Sequence, residues 1–109
     1  SEVHGCRSCN RGNRLDAEWA GLSSVKVAVI GDAEHAVFDA ADKAVIELAD
    51  LMSLHAHRAR LSQPLYDALA VHFDDGQILE LGLVFSLLAG MAHFMFAFDM
   101  IEREDNCRL

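Results

Sequence analysis

The chain has 109 residues, enough for one folded domain, and we predict a single helical domain over residues 1–109. Its net charge of −8 at pH 7 argues against a nucleic-acid partner, whose phosphates would be repelled, and against attraction to anionic lipid. Hydrophobic residues make up 52% of the chain, which is high for a small soluble protein and favours burial of further surface in an oligomer.

The first element carries a C-x-x-C motif formed by Cys6 and Cys9. Two residues that are three apart share one face of a helix. Near a helix start, the free N–H groups and the positive end of the dipole favour a thiolate over a thiol. Arg7, Arg11 and Arg14 make the segment locally positive, which also lowers a thiol pKa. The pattern therefore favours a redox-active pair.

Two other interpretations of the motif stay open. The pair can be two small, buried and inert thiols. A zinc site would need further ligands, for which His4 and Cys107 are the candidates, because the chain has no second C-x-x-C. Three cysteines and the absence of a secretory signal pattern indicate a reducing, cytoplasmic setting. We expect neither a metal ion nor a cofactor.

A helical pattern continues through Leu15–Leu22, with Leu15, Trp19 and Leu22 on one face and Gly21 as its stop. A short helix is predicted next over Val25–Ile30. Its three valines alternate along the chain and would also suit a strand. Since a single strand has no partner here, we prefer the helix.

The central part of the chain predicts a long amphipathic helix over Asp39–Arg60, after a loop at residues 32–38. Its apolar face consists of residues at spacings of three and four: Ala41, Val45, Leu48, Met52, His55 and Ala59. His55 and His57 are two apart and do not face each other on a helix, which disfavours a metal site. We expect His55 at an interface and His57 in solvent.

A shorter helix is predicted over Leu65–Phe73, with Ser62 as its cap and Pro64 in its first turn. Leu65, Leu69 and Phe73 share the face that it would bury. The chain then turns directly into the most apolar segment.

That segment, Asp74–Glu102, opens with a capping box of Asp74 and Gln77, and we assign Asp74 and Asp75 to capping rather than to acid–base chemistry. The helix is apolar on nearly every side, which is typical of a central core helix, a subunit interface or a membrane span. Leu81–Phe98 has the length of a span, but no Lys or Arg cluster flanks it. We therefore expect no membrane partner.

Two polar or small features interrupt this apolar helix. Gly82, Ser86 and Gly90 stand one turn apart, a spacing that lets another backbone approach closely. His93 lies within the apolar run, and we interpret it as a core histidine with satisfied ring nitrogens.

The order of these segments resembles the carboxymuconolactone decarboxylase superfamily, and within it the alkylhydroperoxidase D-like branch. The segments that carry the resemblance are residues 1–9 (SEVHGCRSC), 20–23 (AGLS), 42–50 (DKAVIELAD), 66–69 (YDAL) and 73–81 (FDDGQILEL). The resemblance covers about Ser1 to Ile101. It implies an all-α helical bundle that forms a homo-oligomer through its last long helix.

The resemblance also implies a thiol-dependent hydroperoxidase or disulfide reductase. In such enzymes the second cysteine attacks and the first resolves, so Cys9 would be the nucleophile and Cys6 its partner. The family motif places a His four residues after the second cysteine, where this chain has Asn13. The family also has a Glu on the preceding helix, a position before Ser1, so we expect the chain to lack an N-terminal part.

Two alternatives stay open beside this expectation. One is a degenerate, non-catalytic member of the same helical family, which Asn13 favours because an amide cannot relay a proton near neutral pH. The other is a small-molecule enzyme similar to carboxymuconolactone decarboxylase that uses no redox step, with His93 or His4 as its base.

Overall fold

The computed structural model describes residues 7–56 and 58–99, and within these ranges every regular element is helical. The elements are α1 (Arg7–Trp19), α2 (Ser24–Ala28), α3 (Ala40–Leu51), a 3₁₀ turn (Leu54–Ala56), α4 (Gln63–Ala70) and α5 (Asp75–Ala97). The prediction of an all-α fold is confirmed. The segment with three alternating valines forms the helix α2 and not a strand.

Four of the helices begin at a side chain that accepts a backbone N–H, which satisfies one of the donors left free at a helix start. The caps are Ser23 for α2, Asp39 for α3, Ser62 for α4 and Asp74 for α5. The capping box predicted for α5 is present, with Asp74 and Gln77 each accepting the other's N–H. The local sequence therefore fixes where these helices start.

The hydrophobic core lies where α3, α4 and the first turns of α5 meet. Its buried side chains are Ala44, Leu48, Leu65, Leu69 and Ile78. Leu69 is fully enclosed, with 0% of its surface exposed. Phe73, predicted to be buried, is half-buried and packs against this cluster. Burial of these apolar surfaces is the main stabilising contribution to this part of the fold.

Polar contacts connect the N-terminal helices to the core. The Arg14 guanidinium donates to the carbonyl of Val27 at 2.9 Å, which joins α1 to α2. The Lys26 ammonium donates to the Asp42 carboxylate, which joins α2 to α3. This hydrogen bond, together with the negative charge of Asp42, raises the pKa of Lys26 above its usual value.

The long helix predicted over Asp39–Arg60 is shorter in the structure, because α3 ends at Leu51. Beyond α3 the N–H of Ser53 donates to the carbonyl of Asp50, and the N–H of Ala56 donates to the carbonyl of Ser53. Both bonds span three residues, which is the tighter 3₁₀ pattern. Serine and histidine are weak helix formers, so this part of the sequence supports the helix poorly. His55 is exposed. His57 lies outside the described residues.

The end of α1 also differs from the expected packing. Leu15 and Trp19 are exposed, with 92% of the Trp19 surface accessible, and only Leu22 of the predicted face is half-buried. The predicted stop is confirmed: Gly21 has φ +97°, a left-handed conformation that favours glycine.

The apolar segment, for which the sequence favours a core helix or a subunit interface, is not enclosed within the single chain. Only Ile78 and Ala92 of α5 are buried, and its opposite side is exposed. His93, expected in the core, is exposed as well. By length and composition α5 could cross a membrane. An 18-residue window of it has a mean hydropathy of 1.8, and 11% of that window is buried within the chain. The described residues therefore leave most of the large apolar side chains of α5 exposed.

Candidate functional site

Cys9 is the predicted site residue that the structure describes. It lies in the first turn of α1, its side chain is half-buried, and its sulfur is disulfide-bonded. The second sulfur of this bond lies outside the described residues, as do both Cys6 and Cys107. The structure therefore shows Cys9 as an oxidised cysteine in the first described turn of α1.

The position of Cys9 in α1 determines the electrostatics around its sulfur. The first N–H groups of a helix have no partner within the helix and carry the positive end of its dipole. A sulfur in the first turn is close to this positive end, so the thiolate formed on reduction is stabilised relative to the thiol. Residues 1–6 lie outside the described residues, so the prediction that the helix starts near Cys9 stays a prediction.

Asn13 lies one turn below Cys9, on the same face of α1, and is exposed. Its amide can donate and accept hydrogen bonds but does not titrate. A proton that leaves or reaches the Cys9 sulfur must therefore be exchanged with solvent or with another group.

A cavity of about 330 Å³ lies between α1 and α2, on the other side of α1 from Cys9. Its lining consists of Arg11, Arg14, Leu15, Glu18, Ser24, Val27 and Ala28. The hydrogen bond from Arg14 to the Val27 carbonyl holds one wall in place. Sequence reasoning missed this cavity, because its walls come from two helices whose packing no local pattern indicates. Its volume is at the lower end of the range for small-ligand sites.

The remaining candidates that the structure describes belong to α5. His93 is exposed on α5, and His4 lies outside the described residues. The assignment of Asp74 to capping is confirmed. Asp75 accepts a hydrogen bond of 2.6 Å from the Tyr66 hydroxyl, which raises the pKa of Tyr66. Among residues 7–56 and 58–99 no three His, Cys, Asp or Glu side chains form a group that could hold a metal ion.

Comparison with known proteins gives no relative from which a function could be transferred. No protein-family model matches the chain, and neither the curated proteins nor the solved structures include a significant match. The candidate site therefore depends on its own chemistry, which is that of a cysteine with an oxidised sulfur at a helix start.

Proposed function

We propose that this chain is a thiol-dependent reductase of small disulfides or hydroperoxides, in which Cys9 attacks and Cys6 resolves. The observation that carries the proposal is the disulfide-bonded sulfur of Cys9 in the first turn of α1. A disulfide at that position has a leaving thiolate that the helix end stabilises, which makes the bond easier to reduce. A transient disulfide of this kind is compatible with a reducing cytoplasm.

The proposed reaction with a disulfide substrate consists of two thiol–disulfide exchange steps. The Cys9 thiolate attacks one substrate sulfur, the substrate S–S bond breaks, and one substrate thiolate leaves. The Cys6 thiolate then attacks the Cys9 sulfur of the mixed disulfide, and the second substrate thiolate leaves. The substrate gains two electrons, the protein gains one disulfide, and an external dithiol returns the protein to its dithiol form.

A hydroperoxide would be reduced through a sulfenic acid on Cys9, with release of an alcohol, and Cys6 would then displace water to form the disulfide. This route requires a proton for the leaving alkoxide, and Asn13 cannot supply one. Disulfide exchange has better leaving groups and needs no such donor. We therefore expect disulfide turnover to exceed peroxide turnover.

We also propose that the helices are arranged as in the alkylhydroperoxidase D-like branch. Its support is the order of the elements: a helix that carries Cys9, then the paired helices α3 and α4, then the long helix α5. This arrangement implies a homo-oligomer that forms through α5.

The first experiment measures reduction of a small aromatic disulfide, with a dithiol as the electron donor. We expect the Cys9→Ser variant to lose turnover and the Cys6→Ser variant to accumulate a mixed disulfide on Cys9, visible by mass spectrometry. Cys107→Ser is the matched control and should retain turnover. Circular dichroism verifies that each variant remains helical. Unchanged turnover in Cys9→Ser would refute the proposal.

A second experiment separates the reductase from the degenerate alternative with inert thiols. The rate of alkylation of Cys9 is measured against pH in a Cys6→Ser, Cys107→Ser background. A midpoint well below the free-thiol pKa of about 8.5 is expected for a thiolate at a helix start. A midpoint at or above that value would favour the non-catalytic alternative.

A further inference from the structure

The exposed side of α5 contains a regular row of apolar residues. Val84, Leu87, Met91, Phe94 and Phe98 follow one another at spacings of three, four, three and four, and all five are exposed. We call these five residues the α5 seam. Spacings that alternate between three and four repeat every seven residues, which is the pattern by which one helix packs along another.

The α5 seam faces away from the core of its own chain. The buried residues Ile78 and Ala92 lie on the opposite side of the helix. The seam residues Leu87 and Phe98 are 67% and 68% exposed, as if the helix had no tertiary contacts on that side. Nothing among the described residues covers this surface.

We propose that the α5 seam binds the α5 seam of a second copy of this chain, with the two helices antiparallel. The exposed area of the seam suits such a contact. The seam residues, with Leu83 and Leu88 beside them, leave on the order of 800 Å² of exposed surface, about what each partner contributes to a standard interface. A contact of that size between two identical surfaces is closed by a two-fold axis.

Part of the seam is already ordered in the single chain. The rings of Phe94 and Phe98 are in contact, with centroids 4.7 Å apart, so part of the surface is organised before it binds.

Charge favours the antiparallel arrangement. Asp74, Asp75 and Glu80 make the start of α5 acidic, and residues 61–99 contain no Lys or Arg. A parallel pair would bring both acidic starts together. In an antiparallel pair centred near Met91, the two starts lie about 50 Å apart, beyond the screening length of about 8 Å at physiological salt.

The same charges disfavour lipid as the occupant. An apolar helix that crosses or lies on a membrane is normally flanked by Lys or Arg, which interact with the phosphates and hold its ends at the interface. The charged residues from 61 to 99 are acidic only, and beyond them Arg103 and Arg108 stand among three acidic residues, so no basic cluster flanks α5. A lipid surface also requires no heptad spacing, whereas a second helix does.

The test is the mass of the full chain in solution, measured by sedimentation equilibrium without detergent. A dithiol reductant is present, so that disulfides between copies cannot contribute. We expect twice the chain mass at micromolar concentration. A monomer at 100 µM, or a discrete mass other than a dimer, would overturn the proposal. Vesicles of neutral phosphatidylcholine form the second arm, in which flotation of the protein as a monomer would also overturn it.

Two variants at the centre of the seam localise the contact. Met91→Glu and Met91→Lys should each raise the dissociation constant of the dimer by more than about tenfold, because each places a charge in the apolar contact. An equimolar mixture should recover dimers, since the opposite charges then face each other. Failure of the mixture to associate more tightly than either variant alone contradicts a contact between two copies of α5.

The matched control is Trp19→Glu, which places the same charge on a residue that is 92% exposed and lies at the end of α1. It should leave the dimer unchanged. If Trp19→Glu weakens the dimer as much as Met91→Glu does, the association is not specific to the seam. The helical circular dichroism of every variant is compared, so that loss of folding is not mistaken for dissociation.

Discussion

Helices α4 and α5 begin in the same way and bury very different fractions of their apolar residues. Each starts at a side chain that caps it, Ser62 for α4 and Asp74 for α5. The eight-residue α4 encloses Leu65 and Leu69 almost completely, whereas the 23-residue α5 buries only Ile78 and Ala92. The local start signal therefore says where a helix begins, and only the spacing of its apolar residues says how much of it one core can take up.

The difference follows from pattern rather than from hydrophobicity. In α4 the two large aliphatic residues, at positions 65 and 69, form one narrow face, and that face fits against α3. In α5 the apolar residues surround the helix, so any core that contacts one side leaves the other side open. A helix that packs through one apolar face should therefore respond to substitution differently from a helix that has a second apolar face.

The largest effect is expected at the centre of the shared core. Replacing the fully enclosed Leu69 with alanine leaves a cavity and should lower the free energy of unfolding by about 2–5 kcal/mol. Denaturant-induced unfolding at pH 7 measures it. Val71→Ala is the control, since Val71 is 76% exposed at the end of α4 and should cost less than about 0.5 kcal/mol. Equal losses for the two variants would mean that α4 is not seated as described.

A smaller effect is expected at the start of α5. Asp74→Ala removes the acceptor for the N–H of Gln77 and should cost about 1 kcal/mol. Asp74→Ser keeps an acceptor oxygen and should recover most of that loss. The same denaturant titration compares them. If the alanine and serine variants are equally stable, capping does not determine where α5 begins.

The sequence predicted the helix starts better than the packing, for a physical reason. A cap depends on residues two or three apart, so Asp74 with Gln77 and Ser62 with Pro64 are visible in the sequence itself. Gly21 as a stop is equally local, because only its own backbone angle matters.

Packing depends on distant segments, and there the sequence was less informative. An all-round apolar helix is typical of a core, yet α5 is largely exposed in the single chain, and His93 with it. The Arg14 contact to the Val27 carbonyl joins two helices that no spacing rule connects. At the candidate site, the place of Cys9 on a helix was predictable, whereas the cavity on the other side of α1 was not.

Gly90 tests whether the second face of α5 is approached through its small residues or through the seam. A Cβ added at Gly90 would meet nothing within 4 Å in the single chain. Gly90→Ala should therefore raise the free energy of unfolding by about 0.5–1 kcal/mol, because alanine is the better helix former. It should also leave the proposed dimer intact, as sedimentation would show. Dissociation on this change would place the contact on the line of Gly82, Ser86 and Gly90 instead.

The smallest effect is expected at the contact that joins α4 to α5. The Asp75 carboxylate accepts a hydrogen bond from Tyr66 and its negative charge opposes phenolate formation, so the pKa of Tyr66 is raised in the folded chain. A pKa raised on folding stabilises the fold below the unfolded value of about 10, and this stabilisation is lost as the pH rises through the folded value.

Stability measured between pH 8 and 11 should therefore fall more steeply in the natural chain than in Tyr66→Phe, which has no phenol to ionise. Because Tyr66 is the only tyrosine, phenolate absorbance reports its ionisation directly. The phenolate should form at a higher pH in the folded chain than in denaturant, and Asp75→Asn should lower that midpoint. The pair is solvent-accessible, so the difference in stability is small. Identical midpoints in the folded and unfolded chains would show that this hydrogen bond contributes nothing to the junction of the two helices.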